Sequence, residues 1–400
     1  LRSGNRVVVE TADPVVLAKL RHALSYLRRD SSSGGSAKAQ IRETRSHVWS
    51  VDIRKRLFTL WGYYDLIVET LRKEGHTTSL VELTKPPAAS MEVDWNALPD
   101  HGFVPRFGQI EALSLIATAD NGIIDAVPGW GKGSVIGIAC AALPKARIAI
   151  ITYSRKLMSQ RLMSEVYTYC PGAGVFHGGC KRPGRRVNMY TAGCLGYADF
   201  DNTDLVLVNE VHQLATDRIA EYLVRFQNAR MFGFSATVDK RWDGGDFRLL
   251  GLFGPTRLVI DRKLAEHHEA VVPTYVRWRS LPAVSIPDYG YYRSRAARLK
   301  QMYWQNAYRN AAIAHDARSY PAGTQILIYS HTVEHALRLK RVLPEFEVVY
   351  AARPLHGVRK KLADDMQLPE MTPERYEMLA RDFSSGRLKR AICTPCWGTG

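Results

Sequence analysis

From about Phe103 onward the sequence alternates short apolar runs with segments of helical period, and this alternation limits the fold more than any other feature. Ile123–Ala126, Arg147–Thr152, Asn188–Thr191, Leu205–Val208 and Met231–Ser235 are apolar stretches with turn or polar boundaries. Ser134–Leu143 and Ser154–Tyr169 lie between them and read as helices. Strands buried on both faces and joined by helices form a doubly wound parallel sheet, whose ligand sites gather at the carboxyl ends of the strands. A second unit of this kind begins near residue 300. Gln325–Tyr329, Glu347–Tyr350 and Arg390–Cys393 read as its strands, His331–Leu343 and Thr372–Phe383 as its helices. The sequence stops at Gly400 before a sheet of normal width is complete, so the second unit is expected to be incomplete.

The first hundred residues differ. Arg6–Glu10 reads as a strand, and Asp13-Pro14 opens a helix expected to run to about Arg29. SSSGGSAKA (31–39) reads as a polar linker or loop. Asp65–Glu74 reads as a helix, Ser79–Leu83 as a closing strand, and Lys85-Pro86-Pro87 as a boundary. The result is a small α+β module over 1–92, followed by units over 93–280 and 281–400. Trp49, Phe58 and Trp61 alternate with Arg54, Lys55 and Arg56, which fits either a nucleic-acid surface or the module's own core.

Charge narrows the partners. Lys and Arg number 55 against 39 acidic residues, a formal net charge of +16. A surplus of that size favours a polyanion, most commonly nucleic acid. Six cysteines are too sparse for a disulfide framework and fit a reducing, cytoplasmic setting. Cys393 and Cys396 form a CxxC with no second pair at matching spacing, so a zinc site is not expected. No apolar run approaches bilayer length and no signal-peptide pattern opens the sequence, so no membrane partner is expected.

The stretch AVPGWGKGS (126–134) carries the chemistry. A strand, a glycine-rich turn with Pro128, Gly129, Trp130 and Gly131, then Lys132, Gly133 and Ser134 opening a helix, is a physical recipe for holding polyphosphate. Glycines let backbone N–H groups wrap the phosphates, the helix start adds positive potential, and the lysine reaches the terminal phosphate. The strict pattern would place glycine at Ala126 and a hydroxyl at Gly133. Downstream, LVLVNEVH (205–212) is a buried strand ending in Asn209, Glu210 and His212, and GFSAT (233–237) ends the next strand. Pro105-Arg106-Phe107-Gly108-Gln109 lies upstream.

In this order and on these strand ends the motifs resemble those of superfamily 2 helicases, from about Pro105 to the last residue, and especially the kind that acts in phage recombination. The resemblance implies tandem RecA-like lobes behind a small N-terminal domain, with ATP and Mg²⁺ as cofactors. It implies that Gln109 reads adenine, Lys132 binds phosphate, Glu210 activates the attacking water, and His212 with Ser235, Ala236 and Thr237 couples hydrolysis to movement. It further implies nucleic-acid contacts at Thr152, Ser154, Arg155, Thr191, Ser330, His331 and Thr394, with Trp397-Gly398-Thr399-Gly400 extending the last of these. A monomer working on branched DNA or strand junctions is the implied enzyme, in the host cytoplasm if phage-encoded. An RNA helicase or an annealing protein with little ATPase is the alternative. An arginine-bearing motif that completes the family's ATP site is expected beyond Gly400.

Two departures fall on one ion. The family holds Mg²⁺ through a hydroxyl after the lysine and an aspartate before the glutamate; here those positions are Gly133 and Asn209. Glycine offers no ligand and asparagine no charge, whereas Mg²⁺ prefers one or two carboxylates with phosphate oxygens and waters. Asn209, Glu210 and Ser134 are the candidate metal residues that remain.

Overall fold

The computed structural model describes residues 1–11, 13–32, 40–52, 54–84, 91–97, 104–154, 158, 162–214, 216–237, 243–280, 297 and 299–397. These divide into two compact units, Leu1–Thr274 and Tyr275–Gly400.

The first unit opens with β1 (Arg2–Ser3), β2 (Arg6–Val9), α1 (Pro14–Ala23), β3 (Ser25–Ser32), β4 (Gln40–His47), β5 (Ser50–Val51), β6 (Leu57–Leu60), α2 (Tyr64–Lys73) and β7 (Glu82–Thr84). Asp13 caps α1 as its sequence requires, its carboxylate accepting from the N–H groups of Val15 (2.8 Å) and Val16 (3.4 Å). The helix stops at Ala23, short of the expected Arg29. Residues 25–32 carry too few apolar side chains to bury a helical face, and they pair instead as β3 with β4, from Ser25 opposite His47 to Ser32 opposite Gln40. Of the polar stretch 31–39, Ser31 and Ser32 thus belong to a strand; residues 33–39 lie outside the described residues, as does the boundary at 85–87.

This module shares a compact unit with the sheet that follows. Asn5 donates to the carbonyls of Phe226 (2.9 Å) and Ala229 (2.8 Å) and accepts from Asn121 (3.1 Å). Tyr63 is fully buried and its hydroxyl donates to the Phe247 carbonyl at 2.7 Å. Gly62 permits the approach: a Cβ there would fall 2.0 Å from the Leu250 carbonyl oxygen.

The sheet is built from α3 (Gln109–Thr118), β8 (Asn121–Ala126), α4 (Lys132–Ala142), β9 (Ile148–Thr152), α5 (Met163–Tyr169), β10 (Gly174–His177), β11 (Cys180–Arg182), β12 (Val187–Thr191), β13 (Leu205–Asn209), α6 (Asp217–Leu223), β14 (Arg230–Ser235), α7 (Gly245–Phe253), β15 (Arg257–Ile260) and α8 (Arg262–His267). Its eight strands run in the order β11-β10-β12-β9-β13-β14-β8-β15, all parallel except the β10–β11 pair. The alternation within each strand divides two cores. Ile148, Ile150, Leu205 and Leu207 pack with α4 and α5, while Ala149, Ile151, Val206 and Val208 pack with α6 and α7 on the opposite face.

The second unit contains α9 (Ala307–Arg318), β16 (Ile326–Tyr329), α10 (Val333–Val342), β17 (Glu347–Val349), α11 (Val358–Asp365), α12 (Pro373–Ser384) and β18 (Arg390–Cys393). Its three strands form a parallel sheet in the order β16-β18-β17 around a separate core that includes Leu337, Phe346 and Ile392. Both units are therefore parallel-sheet α/β lobes, as the alternation of the sequence predicts. Among the described residues no helix is long and apolar enough to cross a membrane.

Candidate nucleotide site

Gly131 caps α4 with φ +103° and Gly129 turns the preceding loop with φ +84°, conformations that favour glycine. The first N–H groups of α4 have no intrahelical acceptor and point out of the helix start. Lys132 folds back over the loop and donates to the Ala126 carbonyl at 3.0 Å. Burial lowers its pKa, and the negative charges of Glu210 and Asp125 act against that fall. Lys132 is thus a half-buried cation in an anion-shaped cradle.

The rest of the loop is held from beneath. Trp130 has no exposed surface and its indole Nε1 donates to the Phe107 carbonyl at 2.7 Å. Its side chain belongs to the core, which leaves the backbone of Trp130 as the part that can face a nucleotide. Gln109 is also buried. Its Nε2 donates to the Trp130 carbonyl (3.1 Å) and its Oε1 accepts from the Arg106 N–H (3.0 Å), so the amide clamps the loop rather than facing open space. Arg106, which sequence reasoning passed over, straddles the same loop: its Nη1 donates to the carbonyls of Gly129 (2.7 Å) and Ala270 (3.4 Å). A cleft of about 820 Å³ opens beside it, lined in part by Arg106, Pro128, Gly129, Arg262, Glu266 and Glu269.

Across the sheet, Glu210 follows β13 in the left-handed region (φ +53°), a strained conformation for a residue with a side chain. His212 Nδ1 lies 3.5 Å from Glu210 Oε2 and 2.8 Å from Ser235 Oγ. Ser235 Oγ in turn accepts from the Thr237 N–H at 3.1 Å. Glu210, His212, Ser235 and Thr237 therefore form one polar chain between neighbouring strand ends. Ala236 lies within that turn, between Ser235 and Thr237.

The strands that end in these motifs are adjacent: β8 precedes the phosphate loop, β14 ends in Ser235, and β13 ends in Asn209. The phosphate loop, the Asn209-Glu210 strand end and the Ser235 turn thus follow three successive strands of one parallel sheet.

No family model matches the chain, and no curated protein does. Among solved structures it is similar to T4 UvsW at 13% identity, covering 100% of this chain and 80% of that one, with a TM-score of 0.49. S. cerevisiae Dbp5 bound to RNA and ADP BeF3 is 14% identical over 74% of this chain and 71% of its own, with a TM-score of 0.44. The Sulfolobus solfataricus SWI2/SNF2 ATPase core in complex with dsDNA is 11% identical over 73% of this chain and 78% of its own, with a TM-score of 0.38.

The candidate nucleic-acid contacts are placed unevenly. Thr152 is fully buried and Thr191 is 6% exposed, its hydroxyl donating to the Phe176 carbonyl at 3.3 Å. Both hydroxyls face inward, because these threonines end central strands under packed helices. Ser154 is half-buried, and Arg155 lies outside the described residues. In the second unit Ser330 and Thr394 follow the paired ends of β16 and β18. Ser330 is buried and donates to the Thr332 carbonyl at 2.9 Å, Thr394 Oγ1 sits 3.2 Å from Cys396 Sγ, and His331 is exposed. Trp397 packs against Phe383, while 398–400 lie outside the described residues.

In the N-terminal module Trp49 and Trp61 pack against the local core. Trp49 and Phe58 also line a cleft of about 710 Å³ with Arg6, His47 and Arg248, where Arg21 lies over the Trp49 ring at 5.1 Å. Trp49 thus both packs on the module's core and borders this cleft, which Glu221 lines as well.

Whether the loop accommodates a divalent cation turns on positions 133 and 209. Gly133 faces α5: a Cβ there would fall 2.9 Å from Glu165 Oε2 and 3.7 Å from its Oε1. Ser134 turns the other way, its Oγ 3.6 Å from the Cβ position of Gly131. Among the described residues no group of three or more His, Cys, Asp or Glu forms a metal cage. The arrangement fits an ion carried mainly by nucleotide phosphates, as Mg²⁺ commonly is.

Proposed function

We propose that the chain is an ATP-dependent helicase or translocase acting on branched DNA, with residues 1–92 as an accessory DNA-binding module and 93–280 and 281–400 as the two motor lobes. One observation carries this reading: Lys132 in its glycine loop and the Glu210–His212–Ser235 chain follow the carboxyl ends of β8, β13 and β14, successive strands of one sheet. In it Lys132 neutralises the terminal phosphates and Glu210 accepts the proton of the attacking water. Mg²⁺ would draw charge from the phosphate oxygens. His212 reports the state of Glu210 to the turn at Ser235–Thr237. The net charge of +16 and the basic aromatic cleft support a nucleic-acid track.

Gly133 and Asn209 favour one second reading, an annealing or clamping protein that binds nucleotide and turns it over slowly. Steady-state ATP hydrolysis with forked DNA, duplex DNA and structured RNA separates the cases. DNA-stimulated turnover that Lys132→Ala abolishes is expected. Loss of a phosphate-stabilising donor in a buried site costs on the order of 10²–10³ in rate. Strand annealing that persists unchanged in Lys132→Ala, without stimulated turnover in the parent, would establish the second reading; stimulation by RNA alone would reassign the track.

A further inference from the structure

Helices α4 and α5 meet through glycine. Gly133 and Gly137, one turn apart, share a face of α4, and a Cβ on Gly137 would fall 2.8 Å from the Glu165 carbonyl oxygen and 2.9 Å from Tyr169 Cδ2. The close approach delivers the Glu165 carboxylate to the second residue of α4, where the Cβ of any larger residue would crowd it.

The strand ends beneath point to the same place. Ile148 and Ile150 of β9, and Leu205 and Leu207 of β13, pack with α4 and α5, so by alternation Thr152 and Asn209 face that side too. The two are neighbours, one step beyond the Val208–Ile151 pair. The Thr152 hydroxyl is fully buried and lacks a hydrogen-bond partner. The Glu165 carboxylate, the Asn209 amide and the Thr152 hydroxyl thus lie on the face of the sheet that carries α4 and α5.

We propose that Glu165 supplies the carboxylate ligand of the divalent cation that accompanies the nucleotide, in place of the hydroxyl missing at Gly133 and the charge missing at Asn209. This rests on the reading of the loop as a nucleotide site. A hard cation bound to phosphate wants one or two carboxylates. Glu165 restores that charge from a different helix, and Gly133 is the residue that leaves room for it. A negative group beside the start of α4 is also favoured by the helix dipole before any cation arrives. The plain alternative is that Gly133 serves only to let α5 dock.

Glu165→Gln separates the two, because it keeps the shape and packing of the side chain and removes its charge. ADP binding to the full chain is measured by calorimetry in EDTA, in Mg²⁺ and in Mn²⁺, with the Mn²⁺ electron paramagnetic resonance spectrum as a direct record of bound metal. The parent is expected to bind ADP in EDTA and more tightly with either metal. Glu165→Gln is expected to keep the EDTA affinity and to bind Mn²⁺ in the ADP complex roughly 10–100-fold more weakly. Glu165→Ala gives the same comparison should the glutamine chain be unstable. Unchanged metal-dependent affinity in both variants overturns the role of Glu165 and leaves the nucleotide site standing. A parent that binds no ADP in any of the three conditions overturns the nucleotide site, and the role of Glu165 with it.

Discussion

His212 Nδ1 and Ser235 Oγ lie 2.8 Å apart, joining the turn after β13 to the end of β14. Ser235 is fully buried and is held on its other side by the Thr237 N–H. The His212 ring thus links Glu210 to the Ser235–Thr237 turn through two contacts. Gly233 lets the turn after β13 pack on β14, since a Cβ there would meet both methyl groups of Val211 at 3.1 Å.

Ser235→Ala cuts that connection and leaves Lys132 and Glu210 in place. Basal ATP hydrolysis is expected to stay within a few-fold of the parent, while strand displacement falls by about tenfold or more, equivalent to about 1.4 kcal/mol of lost coupling. Parallel measurement of ATP consumed and base pairs opened checks this. Equal losses in both would mean that Ser235 serves hydrolysis itself.

Gln109→Ala tests the clamp beneath the loop. The buried Trp130 carbonyl would lose its partner, at about 1–3 kcal/mol, and the N–H of the exposed Arg106 would exchange the amide for water. The first unit is expected to melt at lower temperature and ADP affinity to fall with it. Affinity that falls for adenine nucleotides alone, with inorganic triphosphate binding intact, would assign Gln109 to base reading instead.

Much of this was legible in the sequence because the signals are local. The apolar runs that became β8, β9, β12, β13 and β14 are bounded by turn residues, and buried parallel strands need little else to be recognised. Asp13-Pro14 announced the start of α1 but nothing local announced its end: β3 exists because β4 pairs with it, a contact that no short window contains. The same limit applies to the site. Lys132, Glu210 and His212 sit in contiguous motifs. Glu165 and Arg106 reach the loop from other helices and segments, so spacing along the chain carries no trace of them. The burial of Thr152 and Thr191 is likewise not local information, because a threonine at a strand end looks the same whether a helix covers it or not.

Trp130 separates a structural tryptophan from one that stacks on a base. Trp130→Ala is expected to destabilise the first unit by about 3–5 kcal/mol, the scale for deleting a large buried ring. Trp130→Phe keeps most of the ring and loses the bond to the Phe107 carbonyl, costing about 1–2 kcal/mol while leaving ADP affinity near that of the parent. Thermal melts and ADP titrations on both variants check the pair of outcomes. A phenylalanine variant that melts like the parent yet loses nucleotide would place the indole against the ligand.

His335 gives the second unit a pH dependence of its own. It is 5% exposed on α10, and its Nε2 lies 3.1 Å from Asn310 Oδ1. Burial, reinforced by the positive charge of Arg309, lowers its pKa to about 4. Lys300 and Arg338 gather on the neighbouring Glu334 carboxylate, whose own pKa is lowered as well. An unfolded histidine titrates near pKa ~6.5, so between that pH and about 4 the unfolded chain binds more protons than the folded one. The contribution is therefore fully present above about 6.5 and is lost as the pH falls toward 4. The stabilisation from the Glu334 carboxylate is lost as the pH falls from its ordinary carboxylate range toward its lowered folded pKa, at the acid end of the same window. Melting followed from pH 7.5 to 4.5 should show the second unit weakening through this window. His335→Gln, which keeps an amide donor for Asn310 and cannot titrate, should flatten that part of the profile.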